Sequence, residues 1–118
     1  MRPKILIVDD APADRQQLER IVTEAGHQAL LAESGEQALI RAKNDKQDLI
    51  LMDVNMPYRD GFATTRKLKA DALTKNIPIV FVSGKNQKAD MIWGQLLAVK
   101  SYVGKPYTSQ QIIDQIKA

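Results

Sequence analysis

Three aspartates, a serine and a lysine stand at the ends of short apolar runs in this chain. Asp9 and Asp10 follow residues 4–8, Asp53 follows 49–52, Ser83 follows 77–82, and Lys105 with Pro106 follows 101–104. If those runs are parallel strands, all five side chains meet at one edge of a sheet. Three carboxylates brought together repel one another, and each resists ionisation without a compensating cation. Magnesium suits such a donor set, because it is a hard ion that takes oxygen ligands in an octahedron and keeps some water. A single aspartate after a strand is an ordinary cap or turn residue. Five residues in this order point instead to one acidic, metal-binding pocket.

The segments between them must do the positioning, and they read as helices. Leu18, Ile21, Val22 and Ala25 recur at the spacing of one helical stripe, with Gly26 placed as a C-cap. Residues 27–32 make a short second strand. Ser34-Gly35-Glu36-Gln37 is a capping box that opens a second helix, with Ala38, Leu39 and Ala42 inward. A third helix is predicted from Gly61 to about Leu73, and a fourth over 89–97. Thr108-Ser109-Gln110-Gln111 is another capping box, and Ile112, Ile113 and Ile116 supply the last buried stripe. The runs 5–8 and 49–52 are apolar throughout, as strands covered on both faces should be. Pro78 sits near the start of the fourth run, where a missing donor is tolerated. Five strand–helix units give an α/β fold, a doubly wound parallel sheet with helices on both faces. Ligands in such sheets bind at the carboxyl ends of the strands, where the strand order reverses.

Bulk properties exclude several other classes. The 118 residues suit one domain spanning 1–118, and 44% apolar with 26% charged is a folded-protein balance. There is no cysteine, hence no disulfide, thiolate nucleophile or cysteine zinc site. The single histidine, His27, rules out a histidine metal cluster. Residues 1–60 carry 8 basic and 11 acidic side chains, and residues 61–118 carry 9 and 3, so the net +3 hides an acidic and a basic half. The lysines come singly with few aromatics between them, a poor nucleic-acid footprint, and no nucleic-acid binding by this chain itself is expected. No segment approaches the roughly 20 apolar residues of a membrane span, and no signal-like stretch opens the chain. A cytoplasmic location is expected.

In order and spacing, Asp9-Asp10, Asp53, Ser83 and Lys105-Pro106 resemble the receiver domain of two-component response regulators. The resemblance runs from Pro3 to the C-terminus, and the Met56-Pro57 pair and Gly61 also match. It implies a flavodoxin-like five-stranded sheet in the order 2-1-3-4-5 with five helices. It also implies that Asp53 accepts a phosphoryl group from the phosphohistidine of a sensor histidine kinase. Magnesium would be held by Asp10, Asp53 and the backbone carbonyl of Asn55, with Asp9 assisting through water. Ser83 would offer its hydroxyl to a phosphoryl oxygen and Lys105 its ammonium. Tyr102 would be the switch aromatic, and the peptide bond before Pro106 is usually cis in the family. Asn55 and Lys85 occupy positions that tune phosphoryl lifetime. The family's output surface is the fourth helix, fifth strand and fifth helix, which would engage a downstream protein target. Such a chain is a monomer or weak dimer and no enzyme beyond its own phosphotransfer and dephosphorylation. Ile92-Trp93-Gly94 resembles receivers of twitching-motility and chemotaxis-type systems.

Two positions depart from the family pattern. Ala98-Val99 replaces a usual Gly-Ala pair; if a left-handed residue is needed there, alanine costs on the order of 1 kcal/mol, and the helix is expected to end differently. Gly104 replaces an apolar strand residue and is expected to loosen the strand before Lys105. Three other readings compete. A magnesium phosphohydrolase would need an acid/base aspartate where Asn55 stands. A flavodoxin-like cofactor binder would need glycine or hydroxyl residues where Asp9-Asp10 stand. A receiver-like interaction scaffold that is never phosphorylated would not need all five pocket residues.

Overall fold

The computed structural model describes residues 2–57, 60–84 and 87–117. Lys85 lies outside them. Five strands, β1 (Lys4–Val8), β2 (Gln28–Ala32), β3 (Leu49–Asp53), β4 (Ile79–Ser83) and β5 (Ser101–Gly104), alternate with five helices. These are α1 (Pro12–Glu24), α2 (Gly35–Asn44), α3 (Asp60–Ala70), α4 (Gln87–Leu96) and α5 (Ser109–Lys117). All strand pairs are parallel, in the order β2-β1-β3-β4-β5. The predicted order and element count therefore hold.

Successive strand side chains point to opposite faces, and the core divides accordingly. Leu6, Val8, Ile50, Met52, Ile79 and Phe81 pack with Ala38 and Ala42 of α2 and Phe62 and Leu68 of α3. Ile5, Ile7, Leu49, Leu51, Val80 and Val82 pack on the other face with Leu18, Ile21 and Val22 of α1 and Ile112 of α5. Covering both faces is why the central runs are apolar without alternation. Each such side chain taken fully out of water contributes roughly 1.5–3 kcal/mol.

Local signals explain most boundaries. The Thr108 hydroxyl accepts from the Gln111 N–H while the Gln111 side chain accepts from the Thr108 N–H, a reciprocal capping box. Ser34 caps α2 through the Gln37 N–H, but Gln37 reaches back to the N–H of Glu33 rather than that of Ser34. Gly26, at φ 90°, closes α1, with the Gly26 and His27 N–H groups bonded to the Thr23 and Val22 carbonyls.

Three expectations need correction. First, α3 stops at Ala70 rather than near Leu73. The Thr74 hydroxyl takes the Leu68 carbonyl and the Asp71 carboxylate accepts the Leu73 N–H, which folds the chain into a turn. Second, the end of α4 keeps the left-handed residue without glycine. Ala98 has φ 56°, and the Ala98 and Val99 N–H groups bond the Gln95 and Gly94 carbonyls in the same closing motif as at Gly26. Third, Gly104 does not interrupt the pairing of β5. It pairs with Ser83, and the space a side chain would fill holds the Gln87 amide, 2.7 Å from the position of a Cβ.

Candidate functional site

The carboxyl ends of β1, β3, β4 and β5 deliver the predicted residues to one edge of the sheet. Asp9 follows β1 and is fully buried. One of its carboxylate oxygens, Oδ1, accepts the Ala11 N–H at 3.0 Å, while Oδ2 is buried and makes no hydrogen bond. Asp53 closes β3, nearly buried, and its Oδ1 accepts the Asn55 N–H at 2.9 Å. Asp10 is exposed beside them. One oxygen from each of Asp9, Asp10 and Asp53 lies within 4.8 Å of the others, a spacing that can hold a metal ion. Asp9 Oδ2 accepts no hydrogen bond and, among the described residues, has only the Lys105 ammonium as a cation near it, at 3.8 Å, which supports that assignment, since buried acceptors are seldom left unsatisfied.

Lys105 enters from the end of β5, its N–H bonded to the Ser83 carbonyl at 2.7 Å. Its ammonium stands 3.9 Å from Asp53 Oδ1, 3.8 Å from Asp9 Oδ2 and 3.1 Å from Asp14 Oδ2. The Lys105–Pro106 peptide bond is cis, as the resemblance implied. The charges set the local titration. Burial pushes Asp9 up to about 7, against the hydrogen bond from Ala11; Asp53 adds to the rise and Lys105 opposes it. Burial pulls the Lys105 ammonium down, but Asp53, the Asp14 hydrogen bond and Asp9 outweigh it, so its pKa lies above the ordinary lysine value. Tyr107, beside this cluster, is raised to about 12 by burial and then by Asp14, Asp9 and Asp53.

Ser83 is brought to the same edge, but its hydroxyl is engaged elsewhere. It donates to Asp90 Oδ2 on α4 at 2.5 Å, and both residues are buried. Asn55 lies two residues past Asp53, and its side-chain carbonyl accepts the Gly84 N–H at 2.5 Å. Tyr102 is half-buried on β5 and donates from its hydroxyl to Gln87 Oε1 at 3.2 Å. The Gln87 amide donates in turn to the Lys105 carbonyl at 2.9 Å and the Gly84 carbonyl at 3.3 Å. Gln87 thus ties Tyr102 to the segments that follow β4 and β5, next to Ser83 and Lys105. Trp93 packs against Phe62, ring centroids 5.7 Å apart, as part of the α3–α4 core.

Sequence reasoning missed Asp14, Asp90 and Gln87. None of the three stands in a recognisable motif. Gly104 was the one signal, since a missing side chain there leaves room for the Gln87 amide. Gly61, by contrast, was matched for a reason that packing explains. A Cβ on it would lie 2.5 Å from the Asp53 carbonyl oxygen and 2.9 Å from Val54 Cα, so glycine lets α3 start against the end of β3. An open cleft of about 450 Å³ leads to Asp10 between Glu33, Glu36, Met56 and Asp60.

Comparison with known proteins agrees with this geometry. The family model described as the response regulator receiver domain matches residues 5–117. Protein PilH of Pseudomonas aeruginosa is 38% identical over 115 residues, covering 98% of this chain and 95% of PilH. Response regulator PleD of Caulobacter vibrioides is 34% identical over 118 residues, but the match spans only 26% of its length. Among solved structures, chemotaxis protein CheY4 of Vibrio cholerae superposes with a TM-score of 0.91 at 25% identity, over 99% of this chain and 98% of that one. No described helix is long and apolar enough to cross a membrane.

Proposed function

The chain belongs to the response regulator receiver domain family, and from that premise we propose that it is a phosphorylation-controlled switch whose acceptor is Asp53. The observation that carries the reading is the meeting of Asp53 with Asp9, Asp10 and the Lys105 ammonium at one sheet edge. A carboxylate oxygen of Asp53 attacks the phosphorus of a sensor kinase phosphohistidine. The new O–P bond forms as the P–N bond breaks, and the imidazole leaves with the electron pair. Asp53 is already oriented by the Asn55 N–H. Lys105 supplies positive charge next to the oxygen that becomes an acyl phosphate. Asp9, Asp10, Asp53 and the Asn55 carbonyl would hold magnesium, which when bound neutralises charge on the transferring phosphoryl oxygens. Ser83 stabilises the product by donating its hydroxyl to a phosphoryl oxygen.

The reaction modifies the protein itself and turns over no outside substrate, since Asn55 stands where a phosphohydrolase would need its acid/base aspartate. Output is a change in partner binding through α4, β5 and α5, set by the Tyr102 and Ser83 environment. The partners are a sensor histidine kinase and a downstream protein target, as in chemotaxis-type systems, and this chain meets them in the cytoplasm. The test is intact mass after incubation with acetyl phosphate, with and without magnesium, for wild type and Asp53→Asn. A phosphate-sized gain that needs both magnesium and Asp53 is expected. No gain, in a protein that also fails to bind beryllofluoride, would favour an interaction scaffold instead.

A further inference from the structure

We propose that Asp90 is a positioning residue that holds the Ser83 hydroxyl away from the acceptor site, so that phosphorylation proceeds by exchange of one anion for another on a single proton. The inference rests on the receiver reading above and concerns how that site is held off. Ser83 ends β4 with its side chain fully buried, and Asp90 lies in the first turn of α4, itself 5% exposed. Their contact, Ser83 Oγ to Asp90 Oδ2 at 2.5 Å, has the length of a hydroxyl donating to a carboxylate. A serine hydroxyl carries one donor hydrogen. While that hydrogen points at Asp90, it is unavailable to an oxygen bound to Asp53.

The competition has consequences at both ends. For the site, the state in which Ser83 faces Asp53 is a minority of the resting ensemble, and apparent affinity for any phosphoryl group falls by that fraction. For α4, the exchange strips a buried carboxylate of a donor, and a buried charge without its partner is strongly unfavourable. The first turn of α4 must then carry Asp90 to water or to another donor. A single hydrogen bond thereby links the chemistry at Asp53 to the position of α4, whose exposed face carries Met91, Ile92 and Leu96.

The test is the affinity of the intact chain for beryllofluoride in saturating magnesium, by titration calorimetry. Variants are Asp90→Ala, Asp90→Asn, Ser83→Ala and the double variants. A charge-assisted bond of this kind corresponds to roughly a 10- to 100-fold effect, so Asp90→Ala should tighten binding by about tenfold or more. Asp90→Asn, which keeps a weaker neutral acceptor, should fall between. In the Ser83→Ala background both substitutions should change affinity less than about twofold. A merely structural role for Asp90 would not depend on the Ser83 hydroxyl. The proposal is overturned if Asp90→Ala leaves affinity unchanged or weakens it, or if the gain persists without Ser83. Should Asp90→Ala not fold, the Asn variant decides by the same criterion. A wild type that binds no beryllofluoride overturns the receiver reading itself, and this proposal with it; a wild type that binds without the Ser83-dependent gain overturns this proposal alone.

Discussion

Asp9→Asn should stabilise the magnesium-free protein near neutral pH and leave it nearly unchanged near pH 4. Asp9 is buried at the end of β1, and burial raises its pKa from 3.8 to about 7, with Asp53 adding to the rise. The folded state therefore holds this proton more tightly than the unfolded state. Linkage then fixes the sign: stability contributed by this group falls as pH rises from about 4 to about 7, and is flat outside that window. A difference of about 3 pH units, at about 1.4 kcal/mol each, makes the loss about 4 kcal/mol at most. For a chain of this size that is roughly 15 °C in melting temperature. Asparagine keeps an acceptor for the Ala11 N–H but carries no charge, so the variant lacks the decline. Asp71, whose pKa is lowered by the Leu73 N–H and by Lys43, acts in the opposite sense in both proteins and cancels in the comparison. The assay is urea unfolding of both proteins from pH 4 to pH 8, in chelator and again in magnesium. Magnesium should raise wild-type stability at pH 7 well above its effect on the variant, because a divalent cation offsets the repulsion between Asp9 and Asp53. Parallel pH profiles for the two proteins in chelator would refute the argument.

Three further outcomes follow from single contacts. Ala98→Gly should stabilise the chain by up to about 1 kcal/mol, because φ 56° strains alanine and not glycine; urea midpoints at constant slope would check it. Gly61→Ala should destabilise by more than about 2 kcal/mol, since its Cβ would meet main-chain atoms of Asp53 and Val54 that cannot rotate away; a fully cooperative, wild-type melt would contradict this. Asp14→Asn removes the carboxylate 3.1 Å from Lys105 and lowers the lysine pKa. It should also raise the rate of labelling by acetyl phosphate several-fold, by freeing the ammonium for Asp53; an unchanged or slower mass-gain time course would count against it.

How much of this was legible beforehand differs by kind of information. The apolar runs, the helical stripe at Leu18, Ile21 and Val22, and the capping residues Ser34 and Thr108 are local signals, and they located all ten elements. Parallel strands then have their carboxyl ends at one edge, so the convergence of Asp9, Asp10, Asp53, Ser83 and Lys105 follows from chain order alone. The end of α3 was missed because Thr74 competes for a helix carbonyl through a side chain, which periodicity does not register. Gly104 was misjudged because its effect depends on Gln87, 17 positions earlier, lying across β5.

The sequence by itself determined the architecture and that Asp9, Asp10, Asp53, Ser83 and Lys105 meet at one sheet edge, because strand and helix periods and chain order are properties of the linear polymer. Only the tertiary structure decided which groups those side chains are bonded to at rest. Lys105 leans on Asp14 and Ser83 on Asp90, 91 and 7 residues away. Both contacts exist because α1 and α4 pack on the faces of the sheet with their first turns at its carboxyl edge, burying one carboxylate beside the serine and setting the other beside the lysine. Hydrogen-bond and ion-pair partners depend on ångström distances between separately folded elements, and spacing along a chain does not encode them.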